Sequence, residues 1–333
     1  MRDFHSDILR ADRSGRDLPG GEFFWSCSTH LLFRRCPLAW FYTHYLAQGG
    51  WEIASREESC HAYLLKYLET EQSFLKRILE ESLSSALLSI LHLQEPLLRA
   101  QVLEESFQRE VTERYFRALE DVENARYLRD PKYTSFMELH YKTDPDLNVK
   151  TFFRSLLEKL KLFFREFERL SLAGELASPD PLQWHNRNRE YITFYYGSGK
   201  VVLRPFLYYF TGREFHAWKF SVRKKGEMET LLLDPSGSGD PEQFLTEKLL
   251  SAFCRSRYGE GVQCIVHQLC LTERELLYRR LLPEPLPEDF VRESSEKILQ
   301  ILHFSGGVKQ ENFPENKDPG YCEQCRFRAL CRK

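Results

Sequence analysis

The sequence predicts a mixed α/β fold, in which a helical first half precedes a mixed β-sheet flanked by helices. Apolar residues recur at helical spacing over much of residues 55–180. Short aromatic and β-branched segments, separated by glycines, replace that pattern from about residue 190 onwards. With 333 residues, of which 42% are hydrophobic, the chain has the length for one large globular domain or two modest ones.

The first half is organised around helices. Residues 1–20 are polar and contain glycines, so we expect a loose arm ahead of the main domain, residues 21–333. An aromatic-rich stretch follows, and the apolar spacing over 56–128 predicts further helices. An amphipathic helix is expected over 149–172, and the glycine, serine and prolines of 173–181 predict a break after it.

The second half is organised around strands. Four segments have the composition of hairpin-linked strands: 191–196, 201–210, 214–222 and 229–233. Gly197 and Gly212 supply turn signals between the first three of them. The sheet core, about 190–302, is completed by a helix over 242–258, a strand over 262–270 and a helix near 293–302, and a tail at 303–333 follows.

Three of the nine cysteines lie close together near the C-terminus. Cys322, Cys325 and Cys331 are separated by two and then five residues, and Cys36 lies almost three hundred residues upstream. Thiolates at this spacing are able to converge on one metal centre, where a distant fourth thiolate would tie the two chain ends together. Four thiolates suit a [4Fe–4S] cluster or a structural zinc ion, and the spacing leaves both open. The other cysteines lack ligand spacing and are expected to be buried apolar residues: Cys27, Cys60, Cys254, Cys264 and Cys270.

The cysteine count, the apolar segments and the net charge exclude several classes of protein. An odd number of cysteines does not suit the disulfide framework of a secreted protein, and the N-terminal residues have no apolar signal core. No segment approaches the ~20 apolar residues of a membrane span, so we expect a cytoplasmic protein without a membrane partner. The formal net charge of −2 excludes a strongly basic nucleic-acid binder, and any DNA surface must be a local patch.

These features together resemble the iron–sulfur PD-(D/E)XK nucleases. The shared features are the Cys-Pro pair followed by aromatics, then strands and a helix, then the Cys-x2-Cys-x5-Cys ending. This group includes CRISPR-associated exonucleases and the nuclease domain of the AddB helicase–nuclease subunit. The resemblance covers about 23–332, and the four-cysteine pattern is its specific part. It implies a nuclease-like fold in which Cys36, Cys322, Cys325 and Cys331 hold a structural [4Fe–4S] cluster.

The catalytic motif departs from the family pattern. Such nucleases bind Mg²⁺ through an Asp and through an Asp or Glu two residues before a Lys, often with an upstream His. If Lys219 is that lysine, Ala217 stands at the acidic position and Phe206 stands where the earlier aspartate belongs. The segment expected to hold the histidine, 75–79, has none. The resemblance therefore implies a nuclease fold that has lost cleavage.

A second alignment leads to the same expectation. It places the acidic residue at Asp234, with Ser236 in place of the lysine and Trp218 in place of the upstream aspartate. The glutamine motif of the helix after the sheet falls at Gln243, with Glu247 where an aromatic is usual. Neither alignment has the two carboxylates that a hard divalent cation requires.

Cations suggest where DNA would dock. Arg34, Arg35, Arg326 and Arg328 flank the predicted ligands at both chain ends. Lys219, having lost its carboxylate partners, is expected to be an unpaired cation that meets a phosphate. We therefore expect backbone-directed DNA binding that weakens as salt rises. The arginines equally suit a second role, in which they balance the negative charge of a thiolate-ligated cluster.

The expected function is a DNA-binding or scaffolding subunit in DNA repair or phage defence, with a helicase or an active nuclease as partner. Two alternatives stay open. One is an active Mg²⁺-dependent DNA exonuclease whose carboxylates come from Asp234, Glu214 or Glu229. The other is a protein-only scaffold with a structural zinc or iron–sulfur site.

Two histidines have open or ordinary assignments. His61 would be either a displaced metal ligand or an ordinary helix residue, and His216 would be an ordinary strand residue.

Overall fold

The computed structural model of this chain describes residues 24–52, 55–93, 100–124, 136–141, 149–172, 184–185, 191–197, 199–223, 241–304 and 309–331. The helices in these ranges are α1 (Cys27–Arg35), α2 (Pro37–Phe41), α3 (Glu57–Lys66), α4 (Glu71–Leu93), α5 (Ala100–Glu123), α6 (Met137–Tyr141), α7 (Val149–Arg169), α8 (Pro241–Tyr258), α9 (Glu288–Phe304), α10 (Pro319–Glu323) and α11 (Arg328–Cys331). The strands are β1 (Phe24–Trp25), β2 (Trp184–His185), β3 (Ile192–Tyr196), β4 (Gly199–Leu203), β5 (Leu207–Thr211), β6 (Glu214–Val222), β7 (Gln263–Leu271) and β8 (Leu276–Leu281). The predicted arm, 1–20, and the predicted strand at 229–233 lie outside the described residues.

The strands form two sheets. One has three strands in the order β1-β4-β3, and the other has five in the order β2-β5-β6-β7-β8. In the larger sheet, β6 and β7 are parallel and the other pairs are antiparallel. Helix α8 lies in the connection between the parallel strands, as such crossovers require. The predicted mixed α/β architecture, with helices beside the strands, is confirmed.

The segment 201–210, predicted as one strand, is divided between the two sheets. β4 ends at Leu203 and β5 begins at Leu207, with Pro205 between them. Proline has no N–H for a strand ladder and is disfavoured inside a sheet, which explains the interruption. Strand β8 lies between the predicted strand over 262–270 and the predicted helix near 293–302, where no strand was predicted, and it is the last strand in the order of the larger sheet.

Helix α7 packs its apolar stripe against one face of the larger sheet. Leu156, Leu160 and Phe163 are at most 1% exposed. The rings of Phe163 and Phe220 meet edge to face, with centroids 5.6 Å apart. Burying each such side chain contributes roughly 1.5–3 kcal/mol to folding.

The opposite face of β6 packs against α8. Side chains alternate between the two faces of a strand, so Ala217 joins the core that contains Leu249 and Phe253, whereas Trp218 joins the core of α4, α5 and α7. Lys219 shares the strand parity of Ala217. In the described ranges, no helix is both long and apolar enough to cross a membrane.

Candidate functional site

The C-terminal segment folds back onto α1 and α2, near the other end of the chain. The backbone N–H of Leu38 donates to the carbonyl oxygen of Pro314 at 3.2 Å. The side-chain amide of Asn316 donates to the carbonyl oxygen of Arg35 at 2.8 Å. Because these two hydrogen bonds flank Cys36, they hold the C-terminal segment beside it.

An apolar cluster surrounds Cys36 and Cys325, which are 5% and 9% exposed. Phe327 packs on Tyr42 with ring centroids 5.7 Å apart, and Phe313 belongs to the same core. These surroundings exclude water from the two thiols. Because burial disfavours a bare thiolate and raises the pKa of Cys325, this thiol favours either a protonated or a metal-bound state.

The structure brings the four predicted ligands, Cys36, Cys322, Cys325 and Cys331, into one region, called here the cysteine region. Burial and the negative charges of Cys325, Cys36 and Cys322 raise the pKa of the Cys331 thiol to about 11. Burial, with Cys36 and Cys322, also raises the pKa of Cys325. These two shifts require that Cys36 and Cys322 lie within electrostatic reach of both Cys325 and Cys331.

The donor chemistry of the cysteine region fits a four-thiolate centre. A bound metal stabilises thiolates, so it lowers the pKa of each ligand and releases its proton. The N–H of Ala39 donates to Sγ of Cys36 at 3.4 Å, which is the kind of second contact that orients a ligating sulfur. Within the described ranges, no group of three or more His, Cys, Asp or Glu side chains has the arrangement of a metal site.

The four predicted arginines lie near this region and differ in their contacts. Arg34 and Arg35 are exposed in the last turn of α1. The guanidinium of Arg328 lies 3.9 Å from the ring centroid of Tyr141, and Arg326 donates to the last carbonyl oxygen of α3 at 2.7 Å. Arg326 and Arg328 therefore anchor the C-terminal segment as well as adding positive charge to it.

Lys219 lies on β6, beside the two residues that replace the family's carboxylates. Ala217 is completely buried and Phe206 is 6% exposed. The N–H of Phe206 donates to the carbonyl oxygen of Trp218, the residue before Lys219, at 3.0 Å. Phe206 packs into the core that contains Trp218, whereas Ala217 packs into the core on the other face of the sheet. Both predicted carboxylate positions are therefore occupied by buried apolar side chains, whereas a hard metal ion needs oxygen ligands.

Lys219 does have carboxylate neighbours, so the expectation of an unpaired cation is wrong. Glu247 on α8 is buried, and burial raises its pKa to about 7 against the opposing charges of Lys219 and Arg279. Burial also raises the pKa of Glu80 on α4, and nearby cations that include Lys219 oppose that shift. The two carboxylates come from helices that pack on opposite faces of the larger sheet.

Sequence patterns identified only part of this arrangement. Gln243 lies one turn before Glu247, which places both positions on the same face of α8. Glu80 and Arg279 have no local signal, because only the packing of α4 against β6 and the pairing of β8 with β7 bring them near Lys219. These residues, with Arg204 whose charge also acts on Glu80, are called here the lysine site: Lys219, Glu80, Glu247, Arg204 and Arg279.

Glu214 is the one other predicted carboxylate that lies within the described residues, and it does not join the lysine site. Asp234, Ser236 and Glu229 fall within 224–240, outside the described residues. Glu214 begins β6, five residues before Lys219, which is about 16 Å along a strand. That distance is too long for Glu214 to share a metal ion with a carboxylate beside Lys219.

Glu214 instead ends a chain of hydrogen bonds across β6, β7 and β8. Its carboxylate lies 3.2 Å from Nε2 of His216, Nδ1 of His216 lies 2.9 Å from Nε2 of His267, and Nδ1 of His267 lies 2.8 Å from the Tyr278 hydroxyl. Because a carboxylate only accepts, the chain is satisfied when both imidazoles are neutral and donate through Nε2. Trp218 stacks on His267 with centroids 4.2 Å apart, and burial lowers the pKa of His267 to about 3.

The remaining candidates have ordinary structural positions. His61 lies on α3, where its charge adds to the effect of burial in lowering the pKa of His140. Of the five cysteines predicted to be buried apolar residues, four are buried and Cys60 is partly buried.

Comparisons with known proteins add no family assignment. No protein-family model matches the chain, and no curated protein is similar to it. Two regions therefore remain as the basis for function: the cysteine region and the lysine site.

Proposed function

We propose that this protein is a catalytically inactive, PD-(D/E)XK nuclease-like iron–sulfur protein that binds DNA within a DNA repair or phage-defence assembly. The observation that carries the proposal is that buried apolar side chains, Ala217 and Phe206, occupy both positions at which the resemblance calls for a metal-binding carboxylate. The mixed sheet flanked by helices is compatible with such a fold. A helicase or an active nuclease is the class of partner that would supply strand separation or cleavage.

Loss of cleavage follows from what a nuclease metal needs. Mg²⁺ takes oxygen ligands at about 2.0–2.1 Å and activates water beside the phosphate. Ala217 offers only a methyl group, in a completely buried position, where the motif calls for a carboxylate. Glu80 and Glu247 are both shifted towards the protonated form, which weakens them as metal ligands.

The charge of the lysine site supports binding to a phosphate backbone. Lys219, Arg204 and Arg279 supply positive charge. Glu247 is close to half protonated at neutral pH, because burial raises its pKa to about 7. The site is therefore positive overall near pH 7, while the net charge of −2 for the whole chain keeps affinity modest.

The cysteine region supports a structural role for the metal. Cys36, Cys322, Cys325 and Cys331 would hold a [4Fe–4S] cluster, which the family resemblance favours over zinc. When bound, the cluster supplies a cross-link between the two chain ends. That cross-link would stabilise the apolar core around the site, so the role of the cluster would be structural and not redox-catalytic.

The competing function is an active Mg²⁺-dependent DNA exonuclease. It is favoured by one observation, namely that Glu80 and Glu247 lie within electrostatic reach of Lys219. One experiment separates the two functions. DNA cleavage with Mg²⁺ or Mn²⁺ is measured beside DNA binding without metal, for the wild type and Lys219→Ala.

We expect no degradation of single-stranded or duplex DNA above the buffer control, and binding that weakens steeply with salt. Lys219→Ala should weaken binding and reduce the slope of log K against log salt by about 1. Lys161→Ala, which removes an exposed lysine of α7, is the matched control and should bind as the wild type does. Cleavage that disappears in Lys219→Ala would establish the exonuclease, and failure to bind any DNA would favour a protein scaffold.

A further inference from the structure

The three-stranded sheet has one buried face and one exposed face. Ile192, Val201 and Leu203 are 5%, 0% and 2% exposed and pack into the core beneath α8. The side chains that alternate with them point the other way. On that outer face, Tyr195 is 66% exposed and Tyr191 is 43% exposed.

One row of side chains crosses all three strands on the outer face. Phe24 of β1 pairs with Lys200 of β4, which in turn pairs with Tyr195 of β3. The ammonium of Lys200 lies 5.0 Å from the ring centroid of Phe24 and 5.8 Å from that of Tyr195. A cation between two aromatic rings keeps those rings in place while leaving the exposed tyrosine ring accessible.

A second aromatic–cation pair lies at the far end of the same face. The guanidinium of Arg204 lies 6.0 Å from the ring centroid of Tyr191. The charge of Arg204 also acts on Glu80, as the charge of Lys219 does. Arg204 therefore belongs to the outer face by its contact with Tyr191 and to the lysine site by its charge.

The charged side chains that the structure describes on this face are both positive. The described side chains that alternate onto it are two tyrosines, one phenylalanine, one lysine and one arginine, with Thr193 and Val202 between them. Among these described residues there is no carboxylate, so the face is complementary to a phosphate backbone.

We propose that the outer face of the β1-β4-β3 sheet binds single-stranded DNA, with bases stacked on Tyr195 and Tyr191 and with Lys200 and Arg204 contacting phosphates. This inference rests on the proposed DNA-binding function and assigns to it a strand type and a surface. Exposed aromatic rings beside cations are the means by which proteins hold single strands without sequence preference.

The spacing of the tyrosines selects a single strand over a duplex. Tyr191 and Tyr195 are four residues apart on the chain, which is about 13 Å along an extended strand. Bases in a duplex are stacked at about 3.4 Å, and their faces are covered by their neighbours. Two separate rings are able to stack on bases only where the DNA strand is unpaired and its own stacking is broken.

Fluorescence anisotropy with a labelled 12-nucleotide oligo(dT) and with a duplex of the same length tests the assignment on the full chain. We expect tighter binding to the single strand. Tyr195→Ala should weaken single-strand binding by a factor between about 5 and about 100, the range of base–aromatic stacking. Tyr195→Phe keeps the ring and should bind within about twofold of the wild type. Phe116→Ala is the matched control, because Phe116 is 52% exposed on α5, outside this sheet.

The outcomes separate this inference from the function on which it rests. Wild-type protein that binds neither DNA form overturns both. Wild-type binding that is weakened by Lys219→Ala but unchanged by Tyr195→Ala and Tyr191→Ala overturns the stacking surface and leaves DNA binding in place. Tighter binding of the wild type to the duplex than to the single strand would also overturn the stacking surface and leave DNA binding in place. Because the two tyrosines are exposed, circular dichroism should report the same fold in each variant.

Discussion

His267 shows how one buried side chain makes stability depend on pH. It is 2% exposed, and its ring stacks on the ring of Trp218. Its two ring nitrogens form hydrogen bonds with His216 and Tyr278. Burial, with the charges of His216 and Arg280, lowers its pKa to about 3. An imidazole in the unfolded chain has a pKa near 6.5.

The sign of the pH dependence follows from these two values. Below pH 6.5 the unfolded chain binds a proton at this residue, and the native protein does not do so until the pH approaches about 3. We therefore expect the free energy of unfolding to fall as pH is lowered from 7 to 4, with this residue contributing up to about 1.4 kcal/mol per pH unit.

His267→Asn tests that contribution. Urea unfolding measured between pH 7.5 and 4.5 should show a shallower pH dependence in the variant, by about one proton, although the variant is less stable at neutral pH. His61→Asn is the control, since His61 is only partly buried. Equal slopes for wild type and His267→Asn would show that the buried imidazole is not neutral in the native protein.

Strand β1 shows how a two-residue element is held in place by contacts distant in sequence. Trp25 is completely buried, and its indole N–H donates to the hydroxyl of Ser294 on α9 at 2.9 Å. Trp25 also pairs with Val201 of β4. The strand therefore joins the smaller sheet to α9, and most of that attachment comes from one side chain.

Trp25→Ala should destabilise the protein by about 3–5 kcal/mol, the usual cost of removing a buried aromatic side chain. Trp51→Ala is the matched control, because Trp51 is 46% exposed, and it should change the free energy of unfolding by about 0.5 kcal/mol or less. Chemical denaturation of the two variants measures both values. Similar losses for the two would mean that Trp25 is not a core residue.

Helices and hairpins that have a local sequence signal, such as apolar residues at helical spacing or turn glycines, were predictable. Features that depend on tertiary contacts were not. The apolar spacing over 149–172 and the glycines at 197 and 212 gave a helix and two hairpins that the structure contains. The division of 201–210 into β4 and β5 at Pro205 was not predicted. The residues on each side of Pro205 have the composition of a strand, and the sheet that each strand joins depends on its partner strands. The lysine site was missed in part for the same reason: Glu80 reaches Lys219 only through the packing of α4.

At the scale of the whole molecule, described segments near the two ends of the chain pack into one core. Residues from both ends share a hydrophobic core that contains Trp40 and Phe313, stacked with ring centroids 5.9 Å apart. Cys36 and Cys322 are almost three hundred residues apart in sequence. A metal centre that joins them closes a long loop, which for a covalent cross-link contributes on the order of 5 kcal/mol by reducing the entropy of the unfolded chain.

The last prediction concerns removal of that centre. Anaerobically purified wild-type protein should be brown, because thiolate-to-iron charge transfer absorbs visible light. Cys36→Ser and Cys325→Ser should each remove the colour and lower the thermal midpoint, and Cys60→Ser, outside the cysteine region, should do neither. Limited proteolysis should then cut the colourless variants first within 309–331, since only non-covalent contacts, namely aromatic packing and hydrogen bonds, then hold that segment. If the wild-type protein is colourless and contains one zinc ion, the metal centre is a zinc site with the same four ligands. If Cys36→Ser keeps its full metal content, Cys36 is not a ligand.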